Sequence, residues 1–188
     1  MVSRISVILL VVLGFQYPML SNENQPSPLT IAGEPIDPLQ GKSKAVVLIF
    51  LASDCPISNR YAPLVNRIYE AYKEKGIEFY GVYPMSSETL EDIESHRSDY
   101  GYKMPALIDK DHVLVDQADA MVTPEVSVYL PETGIWAYRG RINDLYVDFG
   151  KWRRNPTEND LTDALDLILS GDEFEPKRTR AVGCYIQE

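Results

Sequence analysis

Only two cysteines, Cys55 and Cys184, and two histidines, His96 and His112, occur among 188 residues. So small and scattered a supply of soft and borderline ligands argues against a zinc- or cluster-based architecture, whose sites usually gather three or four of them at close spacing. A disulfide-rich scaffold is excluded. Pairing Cys55 with His96 or His112 still falls short of an ordinary metal site, so no metal or cofactor is expected. Basic residues are in the minority: 18 Lys and Arg against 28 Asp and Glu leave a formal net charge of −10. Nucleic-acid phosphates would be repelled, and no nucleic-acid partner is expected. The local basic clusters Lys151-Trp152-Arg153-Arg154 and Lys177-Arg178-Thr179-Arg180 read as solvated loops. Internal repeats and long low-complexity segments are missing too.

Long hydrophobic runs outside predicted strands are confined to the N-terminus. Met1 to Arg4 is a short basic start, and Ile5 to Phe15 is an apolar run of 11 residues. That is the length of a signal-peptide core and too short for a membrane span. Gln16 to Gln25 offers no Ala-x-Ala cleavage site, so residues 1–21 are expected to be either a signal peptide or an N-terminal anchor tethering the protein to a membrane. Either way the domain is expected to be exported, periplasmic or otherwise extracytoplasmic, where disulfides persist. Ser21 to Pro28 is a polar linker, residues 22–176 are long enough for one sizeable core, and 177–188 form a tail carrying Cys184.

Strand and helix signals alternate along the chain. Ala45 to Leu51 is a continuous apolar run with β-branched enrichment, the mark of a buried and parallel strand. Tyr61, Leu64, Val65, Ile68, Tyr69 and Tyr72 recur at helical spacing and predict a long amphipathic helix ending near Gly76. Ile77 to Tyr83 is the next strand, and Ser86 or Ser87 is expected to cap a second helix running to about Tyr100. Pro105 to Asp109 supplies a short extended piece. Glu125 to Leu130 and Ile135 to Tyr138 flank the turn Pro131-Glu132-Thr133-Gly134, a hairpin signal. A last helix follows Asn155-Pro156-Thr157, with Leu161, Ala164, Leu165 and Ile168 on one face and Gly171 as its stop.

Between the first strand and its helix stands Ser53-Asp54-Cys55-Pro56-Ile57-Ser58. Pro56 suits the first helical position, which leaves Cys55 at the N-cap. A thiol there faces unpaired backbone donors and the positive end of the helix dipole, both of which favour thiolate, the form that attacks disulfides and peroxides.

These segments together resemble the thioredoxin-like superfamily, in its redoxin branch of thiol oxidoreductases and peroxiredoxins. Cys55-Pro56-Ile57-Ser58 lies where that superfamily carries Cys-x-x-Cys, with Ser58 replacing the second cysteine. Val122 to Leu130 resembles the segment bearing the cis-proline beside the active thiol, which makes Pro124 the candidate. Tyr138-Arg139-Gly140-Arg141-Ile142-Asn143-Asp144 resembles the turn after the last strands of exported redoxins. The resemblance implies a three-layer α/β/α sandwich with a central mixed sheet, and an insertion from Ser87 to Ala120.

It also implies thiol–disulfide exchange, with Cys55 as nucleophile, Pro124 lining the site and Ser58 able to hydrogen-bond the thiolate. Ser58 cannot resolve a mixed disulfide or sulfenic acid, so resolution falls to Cys184, a second subunit or an external thiol. Three states of the two cysteines stay open: a redox-active pair, an inert bridge tying down the C-terminus, and two separate thiols. The peroxidase alternative lacks the hydroxyl that peroxiredoxins place three residues before the cysteine, where Ala52 stands here; Leu48 replaces their proline. Copper-delivery relatives use a second cysteine and a histidine where this chain has Ser58 and Asn59. Arg60 would reach Cys55 only by folding back and reads rather as a surface residue of the helix; Arg139 and Arg141 are alternatives for stabilising an anion from the hairpin side, and Asp54 is expected to be partly solvated. His96 reads as a helix-face residue and His112 as a solvated turn residue. The expected partners are a protein or small-molecule disulfide, thiol or peroxide, and an external thiol reductant. A non-catalytic redoxin module with a structural disulfide is the remaining alternative.

Overall fold

A computed structural model describes residues 26–187; the expected signal peptide or anchor at 1–21 lies outside the described residues. No helix among the described residues is long and apolar enough to cross a membrane. The elements are β1 (Leu29–Thr30), β2 (Ala45–Phe50), α1 (Pro56–Tyr72), β3 (Ile77–Tyr83), α2 (Leu90–Asp99), β4 (Ala106–Ile108), α3 (Val113–Ala118) and β5 (Val122–Thr123). They continue as β6 (Glu125–Leu130), β7 (Ile135–Gly140), β8 (Tyr146–Asp148), β9 (Lys151–Trp152), α4 (Asp160–Ser170), β10 (Lys177–Arg178) and β11 (Cys184–Tyr185).

Seven strands form one mixed sheet in the order β1-β4-β3-β2-β6-β7-β10. β2, β3 and β4 run parallel, β6 is antiparallel to β2 and to β7, and β10 runs parallel to β7. The apolar run in β2 is continuous because both of its faces are buried. Ala45, Val47 and Ile49 point into the core beneath α1, α2 and α4. Val46, Leu48 and Phe50 point into the one shared with α3. The result is the three-layer α/β/α sandwich with a central mixed sheet that the motif order implied.

Most expected elements are found, with shifted ends. α1 buries Tyr61, Val65, Ile68 and Tyr72 as its periodicity requires, and the chain leaves it through a short 3-10 turn and Gly76, whose φ of 82° suits glycine. α2 is capped by Thr89 rather than Ser86 or Ser87: its side chain accepts from Asp92 N while the Asp92 carboxylate accepts from Thr89 N, a reciprocal box the serines have no partner to make. His112 is not a solvated turn residue. It caps α3 in the left-handed region, and its Nε2 donates to Pro84 O at 2.9 Å.

The tail carries few packing signals, yet it supplies β10 and β11 through backbone pairing, which hydrophobic periodicity does not reveal. The Tyr138–Asp144 motif organises that region. Tyr138 donates its hydroxyl to Arg141 O at 2.6 Å and receives that of Thr179 at 2.6 Å. Asn143 Oδ1 accepts the Tyr61 hydroxyl at 2.8 Å, tying the turn to α1. Asp144 accepts from the Thr157 hydroxyl, Thr157 N and Glu158 N ahead of α4 and pairs with Arg153. Burial works against ionisation of Asp144, but these hydrogen bonds and Arg153 outweigh it and hold the carboxyl at about 2. Gly140, at φ 138°, forms the notch under the tail, since any Cβ there would run into the Thr179 carbonyl. Gly140→Ala is therefore expected to lower stability by about 1–3 kcal/mol. Urea unfolding with intrinsic fluorescence checks this, and an unchanged midpoint would show that the tail does not depend on the notch.

Candidate active site

β2 delivers the chain into the turn at Ser53 and Asp54, and Cys55 follows as the N-cap of α1 with extended backbone (φ −81°, ψ 111°) and Pro56 after it. Cys55 N donates to Ala52 O at 3.2 Å, while Cys55 O accepts the first helical bond from Asn59 N at 3.0 Å. The Cys55 side chain is 0 % exposed. Its Sγ lies 3.0 Å from Thr123 O, and the peptide bond from Thr123 to Pro124 is cis. The structure thus brings Cys55, Ser58 and the segment around Pro124 to one place.

Cys184 joins them from the tail. β11 runs antiparallel to β5 with Cys184 opposite Thr123 and Tyr185 opposite Val122. In this register Cys184 Sγ comes to 2.7 Å from Cys55 Sγ, both thiols being free. Their proton affinities separate. Burial acts to raise the Cys55 thiol, but the Cys184 thiol and the backbone N–H groups of Ser58 and Cys184 outweigh it, leaving Cys55 below the ordinary range; the Ser58 hydroxyl, expected to bond the thiolate, is buried without a partner. Thr123 O opposes ionisation, because it accepts a bond only from the protonated thiol. Burial pushes Cys184 up to about 12, with the neighbouring Cys55 sulfur and Asp54 adding to the rise. Of the two, Cys55 is the readier to ionise, and the Cys184 S–H donates to its sulfur.

A buried polar scaffold, silent in the sequence, holds the turn before Cys55. Glu88 is 6 % exposed, and its Oε1 accepts from Ser53 N at 2.5 Å. Burial raises its pKa, and the Ser53 contact only partly offsets that. Asn59 donates Nδ2 to Ser53 O at 3.2 Å and accepts at Oδ1 from His96 Nε2 at 2.8 Å. His96 Nδ1 then accepts the Tyr83 hydroxyl at 2.8 Å. This bonding pattern assigns a neutral imidazole with its proton on Nε2. His96 lies on α2 as expected, but on its buried face; the burial that encloses it lowers its pKa to about 4. The only advance sign of the scaffold is Asn59, four residues past the cysteine; Glu88 and His96 lie more than 30 residues beyond Cys55, where periodicity cannot single them out.

The arginines go elsewhere. Arg60 stacks over the Trp152 ring at 4.9 Å, Arg139 pairs with Asp119 at 2.9 Å, and Arg141 pairs with Asp160 at 2.8 Å and with Glu158. None is left to stabilise an anion at Cys55. Among the described residues no group of three or more His, Cys, Asp or Glu side chains is arranged to hold a metal.

A family model of the AhpC/TSA family matches residues 28–144. The thiol-disulfide oxidoreductase ResA of Bacillus thuringiensis is 31% identical over 85 residues, covering 45% of this chain and 48% of that protein. ResA of Halalkalibacterium halodurans is 28% identical over 126 residues, covering 60% of this chain and 70% of its own. The chain thus spans about half the length of the Bacillus relatives it matches. Among solved structures, an uncharacterised conserved protein of Geobacillus kaustophilus has a TM-score of 0.71 at 23% identity, covering 86% of this chain and 88% of its own. A secreted disulfide oxidoreductase of Mycobacterium tuberculosis has 0.52 at 23%, covering 79% and 96%. A thioredoxin-like protein of Aeropyrum pernix has 0.57 at 19%, covering 74% and 87%. At these identities the structures establish the fold, which is thioredoxin-like.

The neutral His96 gives the scaffold a pH dependence. Its folded pKa of about 4 lies below the ordinary 6.5, so between these values the unfolded chain binds a proton that the folded protein refuses. The stability present above pH 6.5 is lost as pH falls toward 4. Urea midpoints measured at neutral and acid pH are expected to fall further for the wild type than for His96→Gln, and equal losses would remove His96 from the acid response.

Proposed function

This chain belongs to the AhpC/TSA family, and on that premise we propose that it is an exported thiol–disulfide oxidoreductase with Cys55 as nucleophile and Cys184 as resolving thiol. The observation that carries the reading is the pair of sulfurs 2.7 Å apart, one favouring thiolate and the other holding its proton. In the first step the Cys55 thiolate attacks one sulfur of a substrate disulfide. A Cys55–substrate bond forms, the substrate S–S bond breaks, and the departing thiolate takes a proton from solvent. Cys184, once deprotonated, then attacks Cys55 Sγ. The Cys55–Cys184 disulfide forms, the second substrate thiolate leaves, and the substrate has gained the two electrons the protein has lost. An external thiol reductant restores the pair.

In this reading Pro124 lines the face of the site beside Cys55, offering no N–H to compete for the thiolate. Ser58, fully buried one helical turn on, has no hydrogen-bond partner for its hydroxyl in the resting site and leaves resolution to the tail. The names of the ResA relatives, thiol-disulfide oxidoreductases, support the chemistry. Export rests on the basic and apolar N-terminal sequence, and the Mycobacterium structure is described as secreted. The peroxide alternative has less support: Ala52 offers no hydroxyl, and the three candidate arginines are engaged elsewhere.

Cys55→Ser is expected to cut turnover of a protein disulfide by at least about 10³-fold. Cys184→Ser is expected to accumulate a mixed disulfide on Cys55, visible by mass. Thiol counting across dithiol buffers should show the wild-type pair opening near the potentials of cellular thiol pools. A bridge that stays closed well below about −300 mV would make it a structural staple and overturn the catalytic reading.

A further inference from the structure

Cys55 is closed off from solvent, and the elements against its sulfur are β5, through Thr123 O, and β11, through Cys184. The tail that supplies β11 is fastened at two points. The first is Thr179, whose N donates to Arg139 O at 2.9 Å, whose hydroxyl bonds Tyr138 and accepts from Arg141 N, and whose carbonyl sits in the Gly140 notch. The second is the two-residue ladder of β11 on β5, extended by Ile186 N donating to Met121 O at 3.0 Å. Between them residues 180–183 span a groove of about 660 Å³, walled on the other side by Met121, Val122, Glu125 and Phe149. Val182 and Ile186 are only partly buried and Tyr185 is 72 % exposed, so the second fastening covers little apolar surface. A strand held by so few backbone bonds and so little burial belongs to the part of a fold that opens first.

Gly183 decides what can occupy this edge. A Cβ at that position would run into the Thr123 carbonyl and crowd Pro124 N. In this register the residue before the cysteine must therefore be glycine. Resting on the reading of Cys55 as the reacting thiol, we infer that the Val122–Thr123 edge is a strand-binding site selective for a Gly-Cys segment, occupied in cis by the chain's own tail. A polypeptide disulfide then reaches Cys55 only after the strap, hinged at Thr179, lifts β11 away. The tail is both the resolving arm and the occupant that an extended substrate must displace.

The test uses the Cys184→Ser protein, in which Cys55 is the sole thiol and the backbone ladder of β11 is intact, and compares it with Cys184→Ser carrying Gly183→Val. A deletion of residues 180–188 in place of Gly183→Val gives a second release of the strap, should the valine disturb folding. Cys55 is labelled with iodoacetamide and with a polymer-linked maleimide. Releasing the strap is expected to raise the polymer rate relative to the iodoacetamide rate by about tenfold or more. A synthetic peptide of residues 180–186, with serine in place of its cysteine, should restore protection to the released proteins, and the same peptide with valine in place of glycine should not. Equal polymer-to-iodoacetamide ratios in clipped and released proteins overturn the strap, and protection by both peptides overturns the glycine selection. Resistance of Cys55 to iodoacetamide in every variant instead overturns the reactive-thiol reading, and with it the strap's role.

Discussion

Two sulfurs separated by 129 positions in sequence meet because two backbones meet first. β11 lies on β5 so closely at Gly183 and Thr123 that no side chain fits between them. That approach fixes the register, and the register fixes where Cys184 points. The enclosure of Cys55 and the proton held on Cys184 follow from it, and on the proposed function so does the route of an incoming disulfide. In an ordinary Cys-x-x-Cys site both sulfurs ride on one helix, and their separation is set by helical geometry alone. Here Ser58 fills the helical position, so the separation is a tertiary property that lasts only while the tail stays docked.

The unequal acidity of the pair has the same origin. Two thiols this close cannot both ionise readily, since the second negative charge would face the first in a partly dehydrated space. Position decides which one ionises. Cys55 stands at the start of α1 near backbone N–H groups, with Cys184 donating to it, whereas Cys184 has the Cys55 sulfur and Asp54 as neighbours. The carbonyl of Thr123 pulls the other way, so the acidity of Cys55 rests on a balance to which the tail itself contributes. Lifting β11 removes a donor and admits water at once, two changes with opposite effects on the Cys55 proton.

What the sequence could disclose was whatever depends on local pattern. The apolar run of β2, Pro56 after Cys55, the helical spacing from Tyr61 to Tyr72 and the turn at Pro131–Gly134 all express rules acting within a few residues. The identity of Pro124 came from resemblance, and the thioredoxin-like sandwich agrees with it. The tail strands stayed hidden because ladders of two residues are held by backbone groups common to every residue. Glu88, Asn59 and His96 stayed hidden for a related reason. Each is an ordinary polar residue until the fold buries it, and only then must its hydrogen bonds be met from inside. Arg60 is the surface residue its helix position suggested, whereas Arg139 and Arg141 misled in the opposite sense: they sit in a family-like motif, but each found a carboxylate nearer to hand.

Closing a covalent bond between Cys55 and Cys184 would join residues far apart in the chain and restrict the unfolded ensemble by about 5 kcal/mol in the loop-entropy model. By linkage, whatever stabilises the docked tail also favours the bridge and makes it harder to reduce. A tail bound through a large apolar interface would turn the pair into a permanent staple. The tail observed is held by a short ladder beside an open groove, with Tyr185 in solvent and only Val182 and Ile186 partly covered. Its weakness is thus consistent with a disulfide meant to open. The tight fit at Gly183 meets the opposite demand, because it fixes where the sulfur lands without adding burial that would resist release. Geometric selectivity and weak attachment are separate properties of one short strand, and a thiol that must arrive accurately and leave easily requires both.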